Sequence, residues 1–286
     1  MSPATSPASI AFIGGGNMAS ALIGGLVRAG HPPGRILVID PGDAQRSTLQ
    51  AMFGVRTAAS ADAVVADAAN PAGLGLAEAD LVVWAVKPQL FAQAAAPCAA
   101  QVAGALHLSV MAGIRSSAIA RATGAAAIVR SMPNTPALIG RGIAGLFATA
   151  AVCAAQRALV EQVLAPTGQL LWVDAEVDLD AVTALSGSGP AYVFYVIEAM
   201  MAAATEMGLS AAQGRQLALA TLDGATALAA ASDEPPAVLR ERVTSKGGTT
   251  YAALQSLAAA GVGPAVVAAI RAAQARAAEL GDEFGG

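Results

Sequence analysis

Residues 9–30 read SIAFIGGGNMASALIGGLVRAG, and the order of residue types in that stretch decides the fold. Ser9 to Ile13 is an apolar run of strand length, Gly14 to Gly16 is a bare turn, and Ala19 to Arg28 repeats apolar residues at helical spacing until Gly30 closes it. Strand, glycine turn and helix, in that order, are what a parallel sheet needs to receive a dinucleotide. Gly14 permits the tight turn, Gly16 lets the backbone approach a diphosphate, and Ala19 stands where a third glycine is usual. The diphosphate would rest on the helix N-terminus near Asn17, with Ile13, Gly15 and Met18 as its neighbours. A merely tight strand-to-helix turn is the alternative reading.

Downstream, Ile36 to Asp40 reads as a second strand ending in an acid about twenty residues past the glycines, where a carboxylate would accept hydrogen bonds from an adenosine ribose. That favours NAD over NADP, although Arg46 follows in the next helix and is placed to meet a 2′-phosphate. A plain turn residue before Pro41 is the other reading of Asp40. The stretch 60–78 is expected to form a helix and a loop. Leu81 to Val86 is a continuous apolar run of the kind buried in a parallel sheet. It ends in AVKPQ, placing Ala85, Val86, Lys87 and Pro88 at the cofactor crevice, with Lys87 a nucleotide-side or structural charge rather than a base.

Two more strands follow. Leu106 to Val110 leads into Met111, Ala112 and Gly113, small enough to lie against a nicotinamide ring or to form a simple turn. Ala127 to Met132 leads into the rigid PNTP loop, and Arg130 within that strand calls for an internal salt bridge. Strands at 142–150 and 169–173 around a helix at 155–164 complete a doubly wound sheet over residues 1–175.

Residues 176–286 carry no strand pattern, only Ala/Leu-periodic helices broken by Gly and Pro. SGSGP at 186–190 reads as a flexible turn opening a helix. The helices are apolar on more than one face, which predicts burial against a second subunit. Within this half, VTSKGGTT at 243–250 concentrates bare amides and small hydroxyls: Gly247 and Gly248 allow positive φ, while Ser245, Thr249 and Thr250 supply donors without bulk. Such a turn before a helix suits a small carboxylate or phosphate, and an ordinary helix cap is the bland alternative.

The chain has 286 residues, 55% of them hydrophobic, and a formal net charge of -4. No basic stripe points to nucleic acid. No unbroken apolar run of membrane-spanning length is present, and the opening MSPATSPAS lacks the layout of a secretory signal, so the expected place is the cytoplasm. Cys98 and Cys153 lack metal-ligand spacing and are expected to be reduced and packed, and His31 and His107 sit in structural settings. With no His/Cys cluster, a metal site is not expected; the difficult chemistry is left to a bound cofactor.

Taken together, FIGGGNMA (12–19), AVKPQ (85–89), MAG (111–113), RSMPNTP (130–136), SGSGPAY (186–192) and VTSKGGTT (243–250) resemble the pyrroline-5-carboxylate reductase family. The resemblance implies an α/β Rossmann domain followed by an all-α dimerisation domain. It also implies NADPH- or NADH-dependent reduction of 1-pyrroline-5-carboxylate to L-proline, by a homodimer that can assemble further into a decamer. By similarity, the substrate carboxylate rests on the 248–250 amides beside Ser245 and Gly247, and the Thr250 hydroxyl meets the ring nitrogen.

The chain departs from the family pattern at Lys246, where proline is frequent, at Ser60 and Ala61, where an Asp-Asn pair is frequent, and in a longer segment around 70–75. Two other functions are open at this level: a β-hydroxyacid dehydrogenase using a helical lysine as acid/base, and a nucleotide-binding sensor without turnover.

Overall fold

The computed structural model describes residues 7–64 and 75–285. Eight strands among them form one sheet: β1 (Ile10–Ile13), β2 (Ile36–Ile39), β3 (Arg56–Ala58), β4 (Leu81–Trp84), β5 (Leu106–Ser109), β6 (Ile128–Met132), β7 (Gly142–Ala148) and β8 (Gly168–Trp172). Their order is β3-β2-β1-β4-β5-β6-β7-β8. The chain therefore leaves β1 in one direction and returns on its other side, and the carboxyl ends of β1, β2 and β4 open a crevice at that reversal.

Every residue of β1, β2, β4 and β5 is buried, which explains why β1, β2 and β4 read as unbroken apolar runs; β5 buries His107 and Ser109 among its leucines. Alternate residues feed two cores, Phe12, Val38 and Leu108 on one face and Ile13, Leu37 and Trp84 on the other. The first face is covered in part by α1 (Asn17–Arg28), which buries Ala19, Leu22 and Ile23. Further helices on the sheet are α2 (Asp43–Phe53), α3 (Phe91–Ala95), α4 (Ala99–Val102), α5 (Ser116–Thr123) and α6 (Ala154–Leu164).

β7 runs antiparallel to β6. The connection between them contains only the 3₁₀ turn Thr135–Ile139, too short for the helical crossover that a parallel return requires. The expected helix within 60–78 is not found where the chain is described: Leu76–Glu78 is a 3₁₀ turn, 60–64 bends and turns, and 65–74 lie outside the described residues.

The second half is helical: α7 (Asp178–Val182), α8 (Gly189–Glu206), α9 (Ala211–Ala230), α10 (Pro236–Arg242), α11 (Thr249–Ala259) and α12 (Val262–Gly285). SGSGP is not a flexible turn. Thr183–Gly187 forms one π-helical turn between α7 and α8, held by the Asn134 side-chain amide, which donates to the Ser186 carbonyl at 3.2 Å. By contacts the chain divides into residues 1–188 with 273–286, and residues 189–272. The strands do end near 175, but α7 stays with the sheet: Leu179 and Asp180 are buried, and Val182 packs where a Cβ on Gly145 would lie at 2.7 Å.

Candidate active site

The turn between β1 and α1 is fixed by its neighbours. Gly14 has φ +96°, and a Cβ there would sit 2.7 Å from the Ala85 carbonyl oxygen, so the position admits glycine alone. The Gly14 amide donates to the Ile39 carbonyl at 2.8 Å, and the Ala85 amide donates to that of Ile13 at 2.8 Å. These bonds bind the ends of β1, β2 and β4 together. Gly16, the residue just before α1, has nothing within 4 Å of a built Cβ, and no side chain caps the helix. Its open first-turn amides and helix dipole fit a diphosphate.

A cavity of about 500 Å³ opens beside this turn. Ile13, Gly14, Gly16, Asp40, Ala85, Val86 and Lys87, all singled out in the sequence, line it. Gly15, Asn17, Met18 and Pro88 adjoin it in the chain without lining it. Asp40 is more than a turn residue: Oδ2 accepts from the Gly15 amide at 2.8 Å and Oδ1 from the Gly42 amide at 2.8 Å. The opposite wall comes from Leu90, Gln93, Ala94, Pro97 and Cys98. Sequence reasoning passed over these residues, although their i, i+3, i+4, i+7 spacing marks one helical face. Burial, with the Asp62 charge second, pushes the Cys98 thiol up to about 11, so it is uncharged at neutral pH.

Met111, Ala112 and Gly113 do not line the cavity; they follow β5 along the same edge of the sheet. Met111 is buried, and Gly113 has φ +77° with the Leu280 carbonyl 3.2 Å from its built Cβ. A polar network anchors the far end of this loop. Glu176 accepts from the Ser116 amide at 2.6 Å, the Ser116 hydroxyl at 2.8 Å and Arg130 Nη1 at 2.9 Å. Arg115 forks onto Asp180 at 3.2 and 2.9 Å. Arg130, only 4% exposed, thus makes the expected internal salt bridge. Burial raises the Glu176 carboxyl, but the Ser116 and Arg130 hydrogen bonds and the Arg130 charge outweigh it and hold the group below its ordinary value.

Both histidines are structural. His107 accepts from the Trp84 indole N–H at 2.9 Å and meets the Val102 carbonyl at 2.9 Å; burial holds its pKa below the usual range despite that second bond. His31 lines a separate cavity of about 350 Å³ at the C-terminal end of α1 and is also lowered, chiefly by burial. Cys98 is buried, but Cys153 is exposed, where its amide donates to Gln156 at the start of α6. Among the described residues no His/Cys/Asp/Glu group could hold a metal ion.

The second glycine turn lies before α11. Gly247 has φ +76° with nothing within 4 Å of a built Cβ, and a Cβ on Gly248 would meet Ser245 Oγ at 2.5 Å. The Gly248 amide donates to the Ser245 carbonyl at 3.0 Å. No side chain caps α11, so the turn is not the ordinary serine or threonine cap. The structure brings Ser245, Gly247, Gly248, Thr249 and Thr250 together around open first-turn amides, with Thr250 half-buried and Ser245, Gly247 and Thr249 exposed.

The chain is 44% identical to the pyrroline-5-carboxylate reductase of Pseudomonas aeruginosa over 96% of its own length and 98% of that protein. It belongs to the pyrroline-5-carboxylate reductase family. The Haemophilus influenzae reductase is 39% identical over 95% of this chain and 97% of that protein. A family model described as pyrroline-5-carboxylate reductase dimerisation matches residues 176–280. Another, described as NADP oxidoreductase, coenzyme F420-dependent, matches 9–113. The solved reductase of Coxiella burnetii superposes with TM-score 0.86 at 34% identity, covering 96% of this chain and 99% of that one. That of Plasmodium falciparum, with NADP bound, gives 0.82 at 26% identity over 96% and 98%.

Family membership accounts for an energetic oddity of the helical unit. Within 189–272 only Ala204, Gly214 and Ala218 are buried, whereas Phe194 is 59%, Tyr195 74% and Leu228 61% exposed. Such a unit has too little core to stand alone in water. Among the described residues no single helix is long and apolar enough to cross a membrane. The pair Thr249–Ala259 and Val262–Phe284 passes on length and composition but is bent by 53°.

Proposed function

We propose that this reductase converts 1-pyrroline-5-carboxylate to L-proline with NADPH or NADH. What carries the reading is near-full-length similarity to proteins bearing that name, joined to two open glycine turns of different design. The bound nicotinamide cofactor supplies the hydride that reduces the ring C=N bond. The residues proposed to hold it are Ile13 to Met18 around the diphosphate, Asp40 at the ribose, Ala85 to Pro88 along the crevice, and Met111 to Gly113 on the nicotinamide side.

Substrate binding falls to the other turn. The amides of Thr249 and Thr250, with the α11 dipole, hold the carboxylate, the Gly248 amide being taken by the Ser245 carbonyl, and the Ser245 hydroxyl adds a donor. Gly247 keeps the approach clear. The Thr250 hydroxyl hydrogen-bonds the ring nitrogen and fixes C5 in place. A threonine is a weak acid, so the substrate enters as the protonated iminium and needs no proton from the protein at that step.

A β-hydroxyacid dehydrogenase mechanism needs an acid/base lysine on a helix. Lys87 and Lys246 are the chain's lysines; Lys87 stands just before a 3₁₀ turn and Lys246 lies in a turn. The exposed apolar faces of α8 and α9 support a homodimer, with a decamer as the larger assembly. The free thiols suit a reducing compartment such as the cytoplasm. The test is to follow the absorbance of each reduced cofactor with 1-pyrroline-5-carboxylate and the purified protein. Oxidation is expected. Cofactor binding with a flat trace would favour the sensor reading.

A further inference from the structure

The end of β2 bears on which nicotinamide cofactor is taken. Asp40 lines the cavity with a carboxylate that cannot swing away, since the Gly15 and Gly42 amides each hold one of its oxygens at 2.8 Å. Each oxygen keeps lone-pair capacity for a ribose hydroxyl.

Neither nearby cation pairs with the Asp40 carboxylate. Arg46 donates to the Asp40 carbonyl at 2.6 Å and pairs with Asp43, and it does not line the cavity. Lys87 lines the same cavity, but it follows β4, two strand positions from β2, which sets its backbone roughly 10 Å from that of Asp40. Asp40, Asp43 and Arg46 together leave one net negative charge at the end of β2. Ser60, in the cavity wall, brings no charge.

We propose that Asp40 makes this chain select NADH over NADPH: its anchored carboxylate receives the 2′-hydroxyl of the adenosine ribose and repels a phosphate in that place. The assignment rests on the dinucleotide reading of the cavity, and it is argued from this chain's own residues; the NADP-bound Plasmodium relative is 26% identical.

The experiment is a fluorescence titration of the purified protein with NADH and with NADPH, without substrate. NADH is expected to bind at least about tenfold more tightly, the scale of one unscreened like-charge contact. Asp40→Ser should erase or invert that ratio, and Asp40→Glu, which keeps the charge, should preserve it. Arg46→Ala should move the ratio less than Asp40→Ser.

Equal or tighter NADPH binding by the wild-type protein would overturn the assignment, as would a ratio untouched by Asp40→Ser. Failure to bind either cofactor would overturn the dinucleotide reading and this inference with it. NADH-selective binding without turnover of 1-pyrroline-5-carboxylate would sink the reductase reading and still support Asp40.

Discussion

The two glycine turns look alike in sequence and are held in opposite ways. At Gly14 to Gly16 the surroundings dictate the backbone: Ala85, Val86 and Leu49 stand within 3 Å of where side chains would begin on Gly14 and Gly15. At Gly247 nothing stands nearby, and the turn keeps its shape through positive φ and the Gly248 to Ser245 hydrogen bond. One turn is part of a packed sheet, built before any ligand arrives. The other is a local loop in a helical unit with little core of its own, so its glycines serve conformation and ligand access rather than packing.

That contrast can be broken most severely at Gly14. Gly14→Ala meets both a forbidden φ and a backbone clash, and should destabilise the fold by about 3 kcal/mol or more while abolishing cofactor binding; near-native stability in urea would show that the sheet does not dictate the turn. Thr250→Ala should lower kcat/KM by about 10- to 1000-fold with cofactor affinity and melting temperature unchanged. Full activity would remove Thr250 from the chemistry.

Gly247→Ala has room but the wrong φ. We expect a cost of about 1–2 kcal/mol and a raised substrate KM with a correctly folded sheet unit, read by urea titration and steady-state kinetics.

The smallest effect is acid lability, which should belong to the sheet unit. His107 has a folded pKa below its ordinary 6.5, so its contribution to stability is full above that value and declines as pH falls below it. Glu176, also lowered from 4.5, contributes above 4.5 and loses its share only in stronger acid. Melting temperature should therefore fall with pH in two stages. Hydrogen exchange should show the first loosening around β4 and β5, and loosening first at residues 243–250 would contradict the assignment.

Much of the sheet was legible because strands buried on both faces are largely apolar: 36–39 and 81–84 announce themselves, and 106–109 does so through its leucines although His107 and Ser109 are buried among them. β3 does not, since Arg56–Ala58 is short and half-buried and owes its pairing to β2. The π-turn at 183–187 was invisible for a similar reason, being fixed by Asn134 from far along the chain. At the site, the glycines and Asp40 were legible through their motif, but the anchoring of Asp40 by two amides was not, because it depends on where α1 and α2 begin. Arg130 signalled a buried partner, yet nothing local names Glu176.

The division of labour between the two turns is tested most directly by a crystal structure of the protein with both dinucleotide and L-proline bound. The account predicts the diphosphate on the amides that open α1 and the proline carboxylate on those of Thr249 and Thr250, with the ring nitrogen at the Thr250 hydroxyl. Proline bound elsewhere, with the amides that open α11 facing only water, would contradict it.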